Sequence, residues 1–406
     1  MIVVVMGVAG SGKTTIGRRL AAALACPFLE GDTLHPPASL EAMQRGVPLT
    51  DHERGPWLDA VHARMRDAAA AGTALVVACS ALKASYRARL ERGLDVRWVY
   101  LAGEQRLIRE RLRQRRDHFF PTGLLDSQWN DLEEPAGALV ADVSQPRNAI
   151  VAQVLAHLGA GGVPRVFPDV ASMIDDAAAA CAAAILAAVA ANGRCAIALS
   201  GGSTPIPLHR RLATAYRERI PWDRLHVFWG DERYVPHTDS KSNYRMARET
   251  LLDHVPVPAA QIHPMPTHFA DPQEAAADYE RTLQQAVSDA FPSIDLAIMG
   301  MGPDGHTASL FPHAPSLTEV DRWVLAVSGP QDSPTRLTLT IPVFAAAPAL
   351  YFLVAGADKA EPAGRVLSGT GDPDRYPAAA LQRAAPHATW WLDAAAAAQL
   401  THSPRD

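Results

Sequence analysis

Cysteine is scarce in this chain. The four thiols in 406 residues, Cys26, Cys79, Cys181 and Cys195, show neither C-x-x-C spacing nor histidine partners, and all lie in apolar segments. That excludes a disulfide framework or a zinc ribbon and points to free, buried thiols in a reducing, cytoplasmic setting. An excess of positive charge is also lacking. The net charge is −5, which argues against nucleic acid or a membrane surface as partner. No stretch approaches 18 apolar residues except 177–191, which is mostly alanine and reads as a soluble helix. The first apolar run has no basic leader and is read as structure, not as a signal peptide.

What is present suits a globular protein: 48% of the residues are hydrophobic and 20% charged. A length of 406 residues exceeds one ordinary core, so two or three domains are expected. The chain opens with Gly7-Val8-Ala9-Gly10-Ser11-Gly12-Lys13-Thr14-Thr15, preceded by an apolar strand and followed by Ile16, Leu20 and Leu24 at helical spacing. Strand, glycine-rich loop and helix form the context in which G-x-x-x-x-G-K-[ST] cradles phosphate, with the backbone N–H groups turned inward beside a helix N-terminus. Lys13 is expected on the β- and γ-phosphates of ATP, and the Thr14 hydroxyl on Mg²⁺. The strand expected at 74–78 lacks a Walker B aspartate at its end, so Asp32, after the short strand 27–29, is the best second candidate for the metal or for an acceptor hydroxyl.

Residues 46–58 read as polar, proline-rich and irregular, with an amphipathic helix starting at Trp57. Six arginines between 106 and 116 place Arg109, Arg113 and Arg116 on one helical face. With His118-Phe119-Phe120 after them, they read as an arginine-bearing lid over the transferred phosphate, so Arg113 and Arg116 are nucleotide-binding candidates.

The P-loop, Gly31-Asp32-x-x-His35-Pro36, Gly46-x-Pro48-Leu49-x-Asp51-x-x-Arg54-x-Pro56-Trp57-Leu58, Cys79-Ser80-Ala81-Leu82-Lys83-x-x-Tyr86-Arg87 and His118-Phe119-Phe120 together resemble the small P-loop gluconokinases. The resemblance runs over almost all of residues 1–158. It implies ATP-dependent phosphorylation of gluconate at its 6-hydroxyl, with Asp32 as base or metal and sugar contact. It also places His35, Arg54, Lys83 and Arg87 near the acceptor. The family pattern has Asn and Lys shortly after His-Pro, where this chain has Ser39 and Ala42.

Residues 159–164 are dense in Gly and Pro and read as a tether between a domain at 1–160 and a second at 165–406. The second opens with an alanine-rich helix at 171–191. The strand 195–199 then delivers Ser200-Gly201-Gly202-Ser203-Thr204-Pro205 to a helix N-terminus, a turn suited to a phosphate oxyanion. Two further strands end in Gly230-Asp231-Glu232-Arg233 and in Gly300-Met301-Gly302-Pro303-Asp304-Gly305-His306, as a site shared along one sheet edge requires. His306 is the candidate general base, with Asp304 two residues away. Arg233 and Lys359 are the best anchors for an anionic substrate.

These blocks, with Ser242-Asn243-Tyr244 and Ala308-Ser309-Leu310-Phe311-Pro312, resemble 6-phosphogluconolactonase over about 165–395. The resemblance implies that His306 activates water for attack on the lactone carbonyl while Asp304 orients it. Ser200, Gly201, Gly202, Ser203, Thr204, Arg233, Lys359 and, more weakly, Arg336 would bind the sugar phosphate, without a metal or other cofactor. The related glucosamine-6-phosphate deaminases share the Gly-His loop but follow it with an acid-supplying Asn-Glu pair; Leu310 and Phe311 stand after Ser309 here.

The expected fold is therefore α/β with two domains. One is a P-loop kinase parallel sheet with helices on both faces, the other a Rossmann-like domain of the lactonase/deaminase type. The two expected activities converge on one product, 6-phosphogluconate, so channelling is not implied. The competing readings make the first domain a degenerate ATP-binding regulator or a kinase for another small acceptor. Gluconate and the phosphorylated lactone are the expected partners, and a homodimer is left open.

Overall fold

The computed structural model describes the chain apart from residues 25, 46, 115–121, 146, 159–163, 288–293, 330–332 and 401–406. It divides into two units, Met1–Leu158 and Gly159–Asp406. The tether expected at 159–164 lies, but for Pro164, outside the described residues.

In the first unit β1 (Ile2–Met6), β2 (Phe28–Glu30), β3 (Leu75–Ala78), β4 (Val96–Ala102) and β5 (Leu139–Asp142) form one sheet in the order β2-β3-β1-β4-β5. Every pairing is parallel, with Ile2 opposite both Leu75 and Val96. A parallel sheet covered on both faces reads as unbroken apolar runs, and β1 and β3 are buried at every position. The strand order reverses at β1, so the crevice beyond its carboxyl end is where a ligand belongs.

The stretch before Trp57 is more regular than its composition suggests. A helix spans Pro37–Gln44, and the next runs Asp51–Ala70, six residues earlier than the apolar pattern implies. A capping box explains the early start. The Glu53 N–H donates to the Thr50 hydroxyl at 3.3 Å, and the Thr50 N–H donates to the Glu53 carboxylate at 2.8 Å. The helix carries Pro56 within it, so the cap outweighs the residue that signalled a break.

In the second unit β6 (Arg165–Phe167), β7 (Cys195–Leu199), β8 (Leu225–Trp229), β10 (Leu296–Met299), β13 (Ala349–Val354) and β14 (Thr389–Asp393) build a parallel sheet in the order β6-β14-β13-β10-β7-β8. A smaller antiparallel sheet, β11-β12-β9, is made of β9 (Asp231–Arg233), β11 (Val324–Val327) and β12 (Arg336–Leu339). The chain passes from one sheet to the other at Gly230. Its N–H donates to the Leu199 carbonyl and its own carbonyl accepts from Leu339, both at 2.8 Å.

Large rings fill this core: Trp229, Trp390, Trp391, Phe228, Phe344, Phe352 and Tyr279 are almost wholly buried, and Phe352 stacks on Trp390 with centroids 3.9 Å apart. Each such ring contributes about 1.5–3 kcal/mol. The alanine-rich helix spans Val170–Asn192, between an Asp169 cap that accepts from the Ser172 N–H at 2.8 Å and a left-handed Gly193. It is long and apolar enough to cross a membrane by composition alone. Its Met173, Ile174, Ala177, Ala178, Cys181 and Ile185 belong to the core of this unit.

Candidate functional sites

In the first unit the P-loop bends as phosphate binding requires. Gly7, Gly10 and Gly12 have φ of 143°, 83° and 99°, which side chains resist. The Lys13 ammonium folds back onto the Val8 carbonyl at 3.0 Å, and the loop N–H of Ala9 donates to the Gln128 side chain at 2.6 Å. The Ser11 hydroxyl is buried and has no hydrogen-bond partner. An orphaned donor in a positive-φ loop at a helix N-terminus fits a nucleotide phosphate.

Glu30, the last residue of β2, is a functional candidate that the sequence reading passed over. Burial pushes its carboxyl up, the Thr14 hydroxyl bonded to it pulls it back, and the charge of Asp32 raises it again. Two carboxylates and a threonine hydroxyl so placed fit a divalent cation, which would relieve the repulsion. No group of three or more His, Cys, Asp or Glu side chains suited to a metal occurs among the described residues.

The acceptor candidates gather beside this loop, with one exception. His35 is buried and stacked on Trp57, with centroids 4.3 Å apart, and its Nδ1 has no partner. Burial holds its imidazole below the ordinary value against the pull of Asp32. The Trp57 indole donates to the Gly31 carbonyl at 2.8 Å, fixing the turn that carries the exposed Asp32.

Arg54 and Lys83 meet in an array whose other members, Asp51, Tyr86 and Asp131, were not singled out from sequence. Arg54 donates to the Tyr86 hydroxyl at 2.9 Å and to Asp131 at 3.0 Å. Lys83 donates to Asp51 at 2.8 Å and lies 3.3 Å from Asp131. Tyr86 donates to Asp51 in turn. The bond to Asp51 is the main reason the Lys83 ammonium titrates above its ordinary value.

Arg87 is the exception. It is buried, and its guanidinium donates to the Ala81 and Leu82 carbonyls at 3.1 and 2.9 Å. Through these bonds it braces the loop after β3. In the arginine helix, Gln105–Gln114, Arg109 pairs with Asp126 and Arg113 is exposed. Arg116 and the His118-Phe119-Phe120 lid lie outside the described residues.

In the second unit the loops after β7, β10 and β13 leave neighbouring parallel strands at their carboxyl ends, the edge where ligands bind. The loop after β10 is wound tightly. The Gly302 N–H donates to the His306 carbonyl at 2.8 Å, and Gly305 turns with φ of 81°. His306 Nδ1 lies 2.5 Å from the Asp304 carboxylate, which also accepts from the His306 N–H at 3.1 Å. Burial pushes the Asp304 carboxyl up, but the bonds from His306 outweigh it and hold the group below its usual value. A Cβ on Gly302 would stand 2.1 Å from His306 Nδ1, so only glycine leaves room for this pairing.

Ser309 ties the loop down by donating to Asp231 at 2.7 Å. Asn243 donates to the Asp231 carbonyl at 2.8 Å. Glu232 accepts the N–H groups of Arg233, Asn243 and Tyr244 at 2.7–2.8 Å, so it caps a helix and is no candidate acid.

Arg233 and Arg336 stand directly opposite each other in the β9–β12 pairing. Burial and the neighbouring Arg233 both push Arg336 below its ordinary value. Each has a buried Nε without a partner, as does the Ser200 hydroxyl. The remaining contacts are modest: Arg233 reaches the Lys241 carbonyl at 2.6 Å, and Arg336 the Ser333 hydroxyl at 3.0 Å. Opposed like charges with unspent donors fit a bound anion. Lys359, after β13, is largely buried and lies 2.8 Å from Asp358.

Residues 168–391 match the family described as glucosamine-6-phosphate isomerases/6-phosphogluconolactonase, more than half of the chain. The chain belongs to this family. A 6-phosphogluconolactonase of Synechocystis sp. is 49% identical over 201 residues, which are 49% of this chain and 82% of the relative. The crystal structure of 6-phosphogluconolactonase from Leishmania guyanensis is 28% identical, covers 60% of this chain and 100% of its own, and superposes with a TM-score of 0.53. Residues 2–135 match an AAA domain. A gluconokinase structure from Sinorhizobium meliloti 1021 is 43% identical over 38% of this chain and 90% of its own, with a TM-score of 0.36. Asp231, Ser309 and Asn243 stood in the quoted motifs without a role; here they tie the loops of the site together.

Proposed function

We propose that the chain carries two activities that yield one product. The second unit, Gly159–Asp406, hydrolyses 6-phosphoglucono-1,5-lactone to 6-phosphogluconate, and the first, Met1–Leu158, phosphorylates D-gluconate with ATP and Mg²⁺ to the same compound. Cytoplasmic location suits both substrates and the free thiols.

The observation that carries the hydrolase reading is the His306–Asp304 pair, together with the orphaned buried donors of Ser200, Arg233 and Arg336 in the same unit. Asp304 fixes the proton on Nδ1, which leaves the Nε2 lone pair of His306 facing outward to take a proton from water. The oxygen of that water adds to the lactone carbonyl. When the ring C–O bond breaks, His306 returns the proton to the departing ring oxygen. The phosphate dianion is held by Arg233 and Arg336, with Ser200 to Thr204 offering a helix N-terminus and Lys359 a further charge. The imidazole base suffices for so activated an ester, and Leu310 and Phe311 stand where an amine-releasing relative carries its acid-supplying pair.

In the first unit ATP supplies the transferred phosphoryl group and Mg²⁺ the charge that steadies it. The P-loop and Lys13 hold the phosphates, Thr14 with Glu30 or Asp32 faces the metal, and Asp32 receives the acceptor hydroxyl's proton. Arg54 and Lys83 fit the acceptor's carboxylate, and the unpartnered His35 Nδ1 fits a hydroxyl. Ser39, which is buried, and Ala42 lie in the helix Pro37–Gln44, so the sugar acid here is held by the Arg54–Lys83 array and His35 without the usual Asn and Lys. Phosphorus NMR of the intact protein decides the matter. A 6-phosphogluconate resonance growing from ATP and gluconate, and growing from the phosphorylated lactone faster than in enzyme-free buffer, is expected; no growth in the first mixture, or no acceleration in the second, refutes that half.

A further inference from the structure

The acceptor array of the first unit has as many anions as cations. Arg54 and Lys83 face Asp51 and Asp131, and Asp131 bridges the two cations: one carboxylate oxygen accepts from Arg54 at 3.0 Å and the other lies 3.3 Å from Lys83. A carboxylate spread over two cations from separate elements is the arrangement a bound sugar acid would take.

We propose that Asp131 is a specificity-determining residue, an internal stand-in that occupies the acceptor carboxylate's place and yields it only to another carboxylate. The inference rests on the kinase reading above and deepens it.

The two aspartates are not equally easy to displace. Asp51 lies in the first turn of the helix Asp51–Ala70, where the positive end of the helix dipole favours it, and it holds both Lys83 at 2.8 Å and the Tyr86 hydroxyl. Asp131 is the last residue of the helix Thr122–Asp131, at the negative end, where a carboxylate is disfavoured. Its side chain is 27% exposed, against 13% for Arg54, so the bridge opens from the solvent side while the arginine stays in place.

An incoming carboxylate restores both charge-assisted bonds that Asp131 gives up. A neutral polyol restores neither at comparable strength and leaves the array one anion short, with Lys83 still on Asp51. The cost of moving Asp131 thus falls on every acceptor, and only acids recover it. The same array explains how an acceptor can be chosen by its acid group without the Asn and Lys that Ser39 and Ala42 replace.

The test is calorimetric titration of wild type and Asp131→Asn with D-gluconate and with D-glucose, in the presence of Mg²⁺ and a non-hydrolysable ATP analogue. Gluconate should bind Asp131→Asn about fivefold more tightly than wild type, the scale of one partly exposed ion pair. D-Glucose, relieved of the same displacement cost, should bind more tightly as well, and in turnover the gluconate KM should fall while the ATP KM holds. Asp131→Ser removes the amide that could mimic the carboxylate and should behave alike; unchanged affinity for the ATP analogue reports that the first unit of each variant is folded.

Unchanged or weaker gluconate binding in both variants overturns the inference, and gluconate-dependent ADP release by wild type would then leave the kinase reading standing. Gluconate binding without turnover, tightened in Asp131→Asn, sinks the kinase reading and keeps this one. Absence of gluconate binding to any of the three proteins overturns both.

Discussion

The two units meet the same problem, holding a sugar anion, with opposite electrostatics. In the second, Arg233 and Arg336 oppose each other with buried Nε groups unpartnered. In the first, Arg54 and Lys83 are already bonded to Asp51, Asp131 and Tyr86. A site that stores repulsion is stabilised by its ligand and is complete before the ligand arrives. A neutralised one must exchange partners, so it gains less from binding and discriminates more. The first arrangement suits a hydrolase acting on a short-lived ester, the second a kinase that must not transfer phosphate to water or to the wrong alcohol.

The contrast breaks first at Gly302. A side chain there meets His306 Nδ1 at 2.1 Å, so Gly302→Ala should lower lactonase kcat about 10²-fold by turning the imidazole away, a misplacement of the order of an ångström. Gluconate-dependent ADP release should be unaffected. A variant with wild-type hydrolysis means His306 need not sit against Asp304.

Arg336→Ala comes next. The lactone KM should rise about 30-fold, the range for removing one partner of a buried charge contact, with kcat changed only a few-fold. The ligand-free protein should keep its melting temperature or gain slightly, since the opposed charges are relieved. Inorganic phosphate should raise the wild-type melting temperature and lose that effect in the variant. A fall in ligand-free stability would show that the arginine pair is structural.

An effect of comparable size is read from acid. His209 is fully buried, with Nδ1 2.9 Å from the Thr250 hydroxyl and Nε2 unpartnered, and burial pushes its imidazole from 6.5 down to about 4. A histidine depressed in the folded state takes its proton more readily when unfolded, so stability rises with pH between about 4 and 6.5 and is complete above that window. The loss on acidifying through it is about 3 kcal/mol. Thermal melts at pH 7 and pH 4.5 should show the second unit losing less in His209→Gln than in wild type, while the first unit responds equally in both. Equal losses in the second unit would remove His209 from the explanation.

The mildest change, Trp57→Phe, deletes the bond to the Gly31 carbonyl and keeps the stack on His35. It should cost about 1 kcal/mol in the first unit and raise the gluconate KM without touching hydrolysis. An unchanged KM would detach the Gly31–Asp32 turn from acceptor binding.

The glycine-rich loops were legible because their chemistry is local. A positive-φ turn and a lysine or histidine at fixed offset are written within a dozen residues, as at Gly7 to Thr14 and Gly300 to His306. The early start of the helix Asp51–Ala70 was also written locally, in Thr50 and Glu53, but Gly55 and Pro56 pointed the other way and the capping box prevailed. Arg87, inside a motif of binding residues, turned inward because two loop carbonyls needed a donor. Asp131 lies 77 residues from Arg54, and the opposition of Arg233 and Arg336 exists only once β9 pairs with β12. Partnerships of that kind depend on strand order and register, which no local pattern carries.

The central claim is that one chain holds two independent sites. Assaying Lys13→Ala and His306→Ala of the intact protein for both reactions tests it most directly. Lys13→Ala should lose gluconate-dependent ADP release by at least about 10³-fold and hydrolyse the lactone at the wild-type rate, with His306→Ala giving the reverse. Loss of both activities in either variant, or a wild type that releases no ADP with gluconate, would contradict it.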